Sequence, residues 1–113
     1  MPLVPCAEPG ASWRFHDPRS GDSLALVPER GGLVTGWTCG GRPMLYFDAQ
    51  RFADPAASVR GGIPVLFPIC GGLSGGTLPL PQGSFPMPQH GFARNRPWSL
   101  AELPAGDGVA LEL

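Results

Sequence analysis

Short runs in which apolar and polar positions alternate recur along this chain. Ser12 to His16 sets Trp13 and Phe15 on one face, and Ser23 to Pro28 (SLALVP) does the same with Leu24 and Leu26. Leu33 to Cys39 (LVTGWTC) and Pro43 to Phe47 (PMLYF) continue the series. A period of two is the mark of a half-buried strand. Arg30-Gly31-Gly32 and Gly40-Gly41 fall between these runs. Glycine pairs between β-rich segments predict hairpin turns, because glycine adopts positive φ without a steric penalty. Near the other end, Ala105 to Gly108 reads as a turn and Val109 to Leu113 as an alternating strand.

The remainder is irregular. Met1 to Gly10 is broken by prolines and reads as a loose tail. Asp48 to Ser58 is polar and patternless. Val59 to Gly71 (VRGGIPVLFPICG) is apolar at its centre but carries Pro64 and Pro68, which exclude a helix and a central ladder strand. An extended, partly buried segment lining a cavity is the expectation there. Gly71 to Gly83 reads as a flexible glycine- and proline-rich loop. Phe85 to Trp98 (FPMPQHGFARNRPW) is too proline-broken for regular structure. No segment shows helical spacing over a useful length. The pattern predicts one all-β antiparallel domain across residues 1–113.

Composition refines this picture. The 17 glycines and 15 prolines would suit a disordered chain. However, 27 residues are Leu, Ile, Val or Phe and the net charge is only −1, so enough apolar surface is present and nothing holds the chain open. All eight basic residues are arginine and none forms a stripe, so no nucleic-acid partner is expected. Cys6, Cys39 and Cys70 are odd in number and lack a CxxC pair. Free thiols in a reducing compartment follow, and with no signal-like start or long apolar run, a cytoplasmic protein with no membrane partner. His16 and His90 lie too far apart to suggest a metal site, and neither a P-loop nor a GxGxxG motif implies a cofactor.

Two clusters carry the candidate chemistry: Arg60-Gly61-Gly62-Ile63-Pro64 and Gln89-His90-Gly91-Phe92-Ala93-Arg94. Glycines let a ligand approach the backbone. Arginine offers a planar fork of donors for phosphate or paired hydroxyls. Histidine can act as acid, base or donor near neutral pH. Phe92 and Trp98 offer flat faces on which sugar rings stack. The bland readings stand beside these: an arginine before Gly-Gly is ordinarily a solvated turn residue, and a lone histidine is more often structural than catalytic. From the residues alone, the chain is a β-rich domain with a polar pocket built from Arg60, His90 and Arg94.

Val59 to Gly71, followed by PMPQHGFAR (Pro86 to Arg94), resembles the hexose-phosphate branch of the aldose 1-epimerase (galactose mutarotase-like) family. PERGG (Pro28 to Gly32), Gly36-Trp37, LYFD (Leu45 to Asp48) and NRPW (Asn95 to Trp98) fall in the matching order. The resemblance implies an antiparallel β-sandwich, present here as its N-terminal portion. The implied reaction interconverts the α and β anomers of a hexose or hexose 6-phosphate. A carboxylate takes the anomeric proton, a histidine protonates the ring oxygen, and the ring opens and recloses. By the same resemblance, Arg60 and Arg94 bind substrate and its phosphate, His90 contacts the sugar, and Gln89 lines the pocket. The acid histidine and base glutamate of relatives lie further along than this chain reaches, so no catalytic residue is assigned within it.

That leaves three readings. The first is a sugar-binding portion of such an isomerase, prone to self-association through exposed strand edges. The second is a non-catalytic sugar-binding module. The third is a Gly/Pro-rich interaction protein.

Overall fold

The computed structural model describes residues 2–113. Strands β1 (Leu3–Glu8), β2 (Ala11–His16), β3 (Ser23–Val27), β4 (Leu33–Cys39) and the two-residue β5 (Arg42–Pro43) form one antiparallel sheet in chain order. Two separate hairpins follow, β6 (Thr77–Leu80) with β7 (Gly83–Pro86) and β8 (Ser99–Glu102) with β9 (Val109–Glu112). Helix is confined to α1 (Ala49–Phe52) and three single 3-10 turns. The fold is therefore all-β and antiparallel, and sandwich-like as the family resemblance implies. No helix among the described residues is long and apolar enough to cross a membrane.

The core sits on β3 and its neighbours. Leu26 is fully enclosed, and Phe15, Ala25, Val27 and Leu33 are buried around it. Both faces of β3 are covered, which is why Ala25 is buried alongside Leu26. Opposite Ala25 and Leu26 the ladder slips, so that β4 carries one extra residue. This β-bulge leaves Thr35 out of register, and its buried hydroxyl donates to the Ala25 carbonyl at 3.4 Å.

Several segments depart from the sequence-based expectations, among them Phe85 and Pro86, which end β7 although Phe85 to Trp98 reads as irregular. Leu3–Glu8, expected to lie in a loose tail, is an edge strand, since Pro5 can sit on an edge where its missing N–H costs nothing. Met1 lies outside the described residues. Pro43 to Phe47 is not a strand: pairing stops at Pro43, and Phe47 instead bridges to Gly61. Gly71 to Gly83, expected as a loop, contains β6. Thr77–Leu80 pairs with Gly83–Pro86 in a two-stranded ribbon, where Pro79 and Pro86 are tolerated because every position is an edge.

The β2–β3 turn carries an Asx motif. The Arg19 amide (3.1 Å) and the Ser20 hydroxyl (2.8 Å) donate to the Asp17 carboxylate. These donors favour the charged form and hold the carboxyl below its usual value of 3.8, the amide contributing most. A depressed folded value means that the stabilisation is present above pH 3.8 and is lost as pH falls through the folded value. The Arg19 amide resonance should therefore titrate with a midpoint below 3.8. A midpoint at or above it would remove the motif's role.

Candidate functional site: an arginine-lined cleft

The cleft begins with the turn after β3. The Arg30 amide donates to Val27 (3.0 Å) and the Gly32 amide to Pro28 (3.2 Å). Gly31 and Gly32 take left-handed φ of 71° and 63°. Neither could carry a side chain, because a Cβ on Gly31 would land on the Arg94 carbonyl and one on Gly32 would reach 2.9 Å from the Trp98 indole. The turn thus lies flush against residues 93–98, with the Gly31 amide donating to Arg96 and the Trp98 amide to Pro28, both at 2.9 Å. The 3-10 turn Ala93–Asn95 presents Arg94 from this wall.

The opposite wall is Val59 to Pro64, stitched to the sheet through backbone. The Ile63 amide donates to Val34 at 2.8 Å, the Gly62 amide to Tyr46 at 2.8 Å, and the Asp48 amide to Arg60 at 3.0 Å. A Cβ on Gly62 would sit 2.6 Å from the Val34 carbonyl, so the Gly-Gly pair is what allows the segment to run along the edge of β4. Residues 48–58 close one end. Asp48 caps α1 by accepting the Arg51 amide, and Arg51 returns to the Ser58 carbonyl (2.7 Å) and hydroxyl (2.9 Å). Arg30 lies 4.6 Å over the Phe52 ring, a cation–π contact that fixes this loop to the β3–β4 turn.

The cleft has a volume of about 600 Å³, within the usual range for small-molecule sites. Arg30, Arg60 and Arg94 line it, against a single carboxylate, Glu29. The Glu29 side chain accepts from the Ser12 hydroxyl at 3.0 Å. The ion pairs among the described residues are Arg14–Glu8 and Arg19–Asp107, so no carboxylate neutralises the cleft arginines. The lining thus carries an excess of positive charge, which favours anions over cations.

Of the residues singled out from sequence, Arg60 and Arg94 meet in this cleft although 34 positions separate them in the chain. Gln89 is exposed and His90 half-buried, and neither lines it. His90 instead bonds to Gly71 through both its backbone and its ring. Trp98 and Phe92 do not line it either. The Trp98 indole packs on Gly32 and donates to the Ala93 carbonyl (2.9 Å), while Phe92 meets the edge of Phe67 and the Arg96 guanidinium. Arg30, Glu29 and Asn95 line the cleft without having been singled out as site residues. The only signal for Arg30 and Glu29 was the polar pair before the Gly31-Gly32 turn. Among the described residues, no three His, Cys, Asp or Glu side chains are grouped as metal ligands.

No protein-family model matches the chain. It is 37% identical over 75 residues to a protein of Cenchrus ciliaris named "Putative glucose-6-phosphate 1-epimerase", a match covering 66% of this chain and 20% of that one. The solved structure of the Slr1438 protein from Synechocystis sp. PCC 6803 is similar with a TM-score of 0.75 and 46% identity, over 97% of this chain and 36% of that one. The chain thus spans about a fifth of the curated relative and little more than a third of the solved chain. These likenesses agree with a galactose mutarotase-like resemblance.

Proposed function

We propose that this chain supplies the anion-binding part of the sugar site of a hexose-6-phosphate 1-epimerase-type isomerase, acting in the cytoplasm. The observation that carries the reading is the convergence of Arg60 and Arg94, each from one of the two family-like motifs, in one cleft where neither forms an ion pair among the described residues. Two guanidinium forks suit the oxygens of a phosphate, and the remaining volume suits a hexose. The epimerase-named relative supports the same substrate class. Gln89 and His90 do not line this cleft, and no substrate contact is assigned to them. No general acid or base is assigned to this chain. Proton transfer at the anomeric hydroxyl and ring oxygen falls to groups outside it, and losing such groups costs about 10²–10⁴-fold in rate.

Titration with glucose 6-phosphate and with glucose, followed by NMR, tests this. Shifts centred on Arg60, Arg94 and the Gly31–Gly32 turn are expected with the phosphate ester and only weak shifts with the free sugar. Anomer exchange of the ester in the same samples is expected at the buffer rate. Equal response to both sugars, or shifts confined to other surfaces, would end the phosphate assignment.

A further inference from the structure

His90 is held in an unusual way. Its φ is 67°, a left-handed conformation that a histidine adopts only against steric cost. Gly91 follows at 72°, and together they reverse the chain between Pro88 and Ala93, immediately before the turn that presents Arg94. Two bonds to one residue hold the reversal. The His90 amide donates to the Gly71 carbonyl at 2.7 Å, and the Gly71 amide donates to His90 Nδ1 at 2.8 Å. The second bond requires a lone pair on Nδ1, so the ring is the neutral tautomer with its proton on Nε2. Just beyond, the Phe92 and Ala93 amides both donate to the Phe67 carbonyl, at 3.0 and 3.2 Å. Gly71 ends the segment that carries Arg60, and His90 begins the segment that carries Arg94. The clasp therefore joins the two walls' chains at their distal ends.

We propose that His90 is a positioning residue for the cleft: its neutral imidazole clasps Gly71 and so sets Arg94 opposite Arg60, and protonation opens the clasp and weakens anion binding. The proposal rests on the anion-binding reading of the cleft. Imidazolium has a donor at each nitrogen, so neither ring flip nor rotation restores an acceptor for the Gly71 amide. The left-handed turn then loses the bond that offsets its strain. No carboxylate among the described residues pairs with the ring. The ionisable groups on the joined segments are Arg60 and Cys70 before Gly71, and Arg94 and Arg96 beyond His90. The other histidine, His16, is at the exposed end of β2.

Inorganic sulfate is the probe. It remains a dianion and arginine remains charged between about pH 8 and about pH 5.5, so neither accounts for a change in binding across that range. Wild-type affinity for sulfate should fall severalfold when the ring is protonated, the loss expected when a half-buried amide gives up its acceptor. In His90→Asn, the amide oxygen can take the place of Nδ1, asparagine tolerates positive φ, and nothing titrates. That variant should bind sulfate at high pH as wild type does and show no fall with pH. His90→Ala should bind weakly at both pH values. A pH-dependent fall in His90→Asn equal to that of wild type, or full binding by His90→Ala, would overturn the proposal.

The Gly71 amide and the His90 ring nitrogens report the clasp without any ligand. While the ring is neutral the amide should be protected from exchange and Nδ1 should show the unprotonated type of ¹⁵N shift, and both signatures should vanish together when the ring is protonated. If sulfate fails to bind wild type at any pH while these signatures hold, the anion-binding reading fails and the clasp stands. If the Gly71 amide is indifferent to pH and to His90→Ala, the clasp itself is refuted.

Discussion

Arg94→Ala is expected to weaken glucose 6-phosphate binding by on the order of 10- to 100-fold, the worth of about 1.5–3 kcal/mol for a hydrogen bond to a charged group. Binding of free glucose should barely change. The selectivity follows from the cleft's charge: Arg94 has no carboxylate partner among the described residues, so an anion is what would complete it. Arg94→Lys should recover only part of the loss, because a point charge replaces a planar fork. Calorimetric titration of the two sugars against wild type and both variants checks the claim. An equal loss for glucose and its 6-phosphate would show that Arg94 shapes the cleft without reading the phosphate.

The second large effect is on stability, and two glycines make the comparison. Gly21 and Gly31 both have left-handed φ, 80° and 71°. A Cβ on Gly21 meets nothing within 4 Å, whereas one on Gly31 collides with the backbone of Arg94. Gly21→Ala should therefore cost only the conformational penalty, about 1–2 kcal/mol. Gly31→Ala pays that penalty and must also push residues 93–96 off the turn, breaking the Gly31–Arg96 bond. A loss above about 3 kcal/mol is expected, in the range reserved for strain and broken packing at a special backbone site. Urea unfolding of the two variants measures the difference. Equal losses would mean that the turn and the Arg94 wall are not rigidly joined. If Gly31→Ala remains folded, its glucose 6-phosphate affinity should also fall, since the turn forms one wall of the cleft.

Strands β2, β3, β4 and β9 were legible because each has a period of two bounded by turn residues, and neighbours in the chain pair with one another. The two hairpin turns at Gly31-Gly32 and Gly40-Gly41 were legible for the same local reason. β1 and β6 were not, because prolines and glycines speak against strands in general. That rule loses force at an edge, where a missing N–H goes unused. The run Pro43 to Phe47 was misread for the opposite reason. Its composition suits a strand, but Gly61 and Gly62 come in from elsewhere in the chain and take the backbone groups of Tyr46 and Phe47.

For the site, sequence alone pointed to Arg60 and Arg94, because an arginine beside glycines can meet a ligand closely. It also predicted an all-β antiparallel domain and an extended segment along the cleft wall, all properties of local pattern and residue chemistry. That the two arginines share one cleft was decided only by tertiary structure. Their meeting depends on backbone bonds from Ile63 to Val34 and from Gly31 to Arg96, and no spacing in the sequence encodes either bond. Tertiary structure likewise drew Arg30 into the cleft by placing Phe52 beneath it, and turned His90 away from the cleft toward Gly71. The physical reason is common to all of these. A side chain's identity limits the bonds it can make, but which partner it meets depends on where distant backbone amides and carbonyls must go to be satisfied.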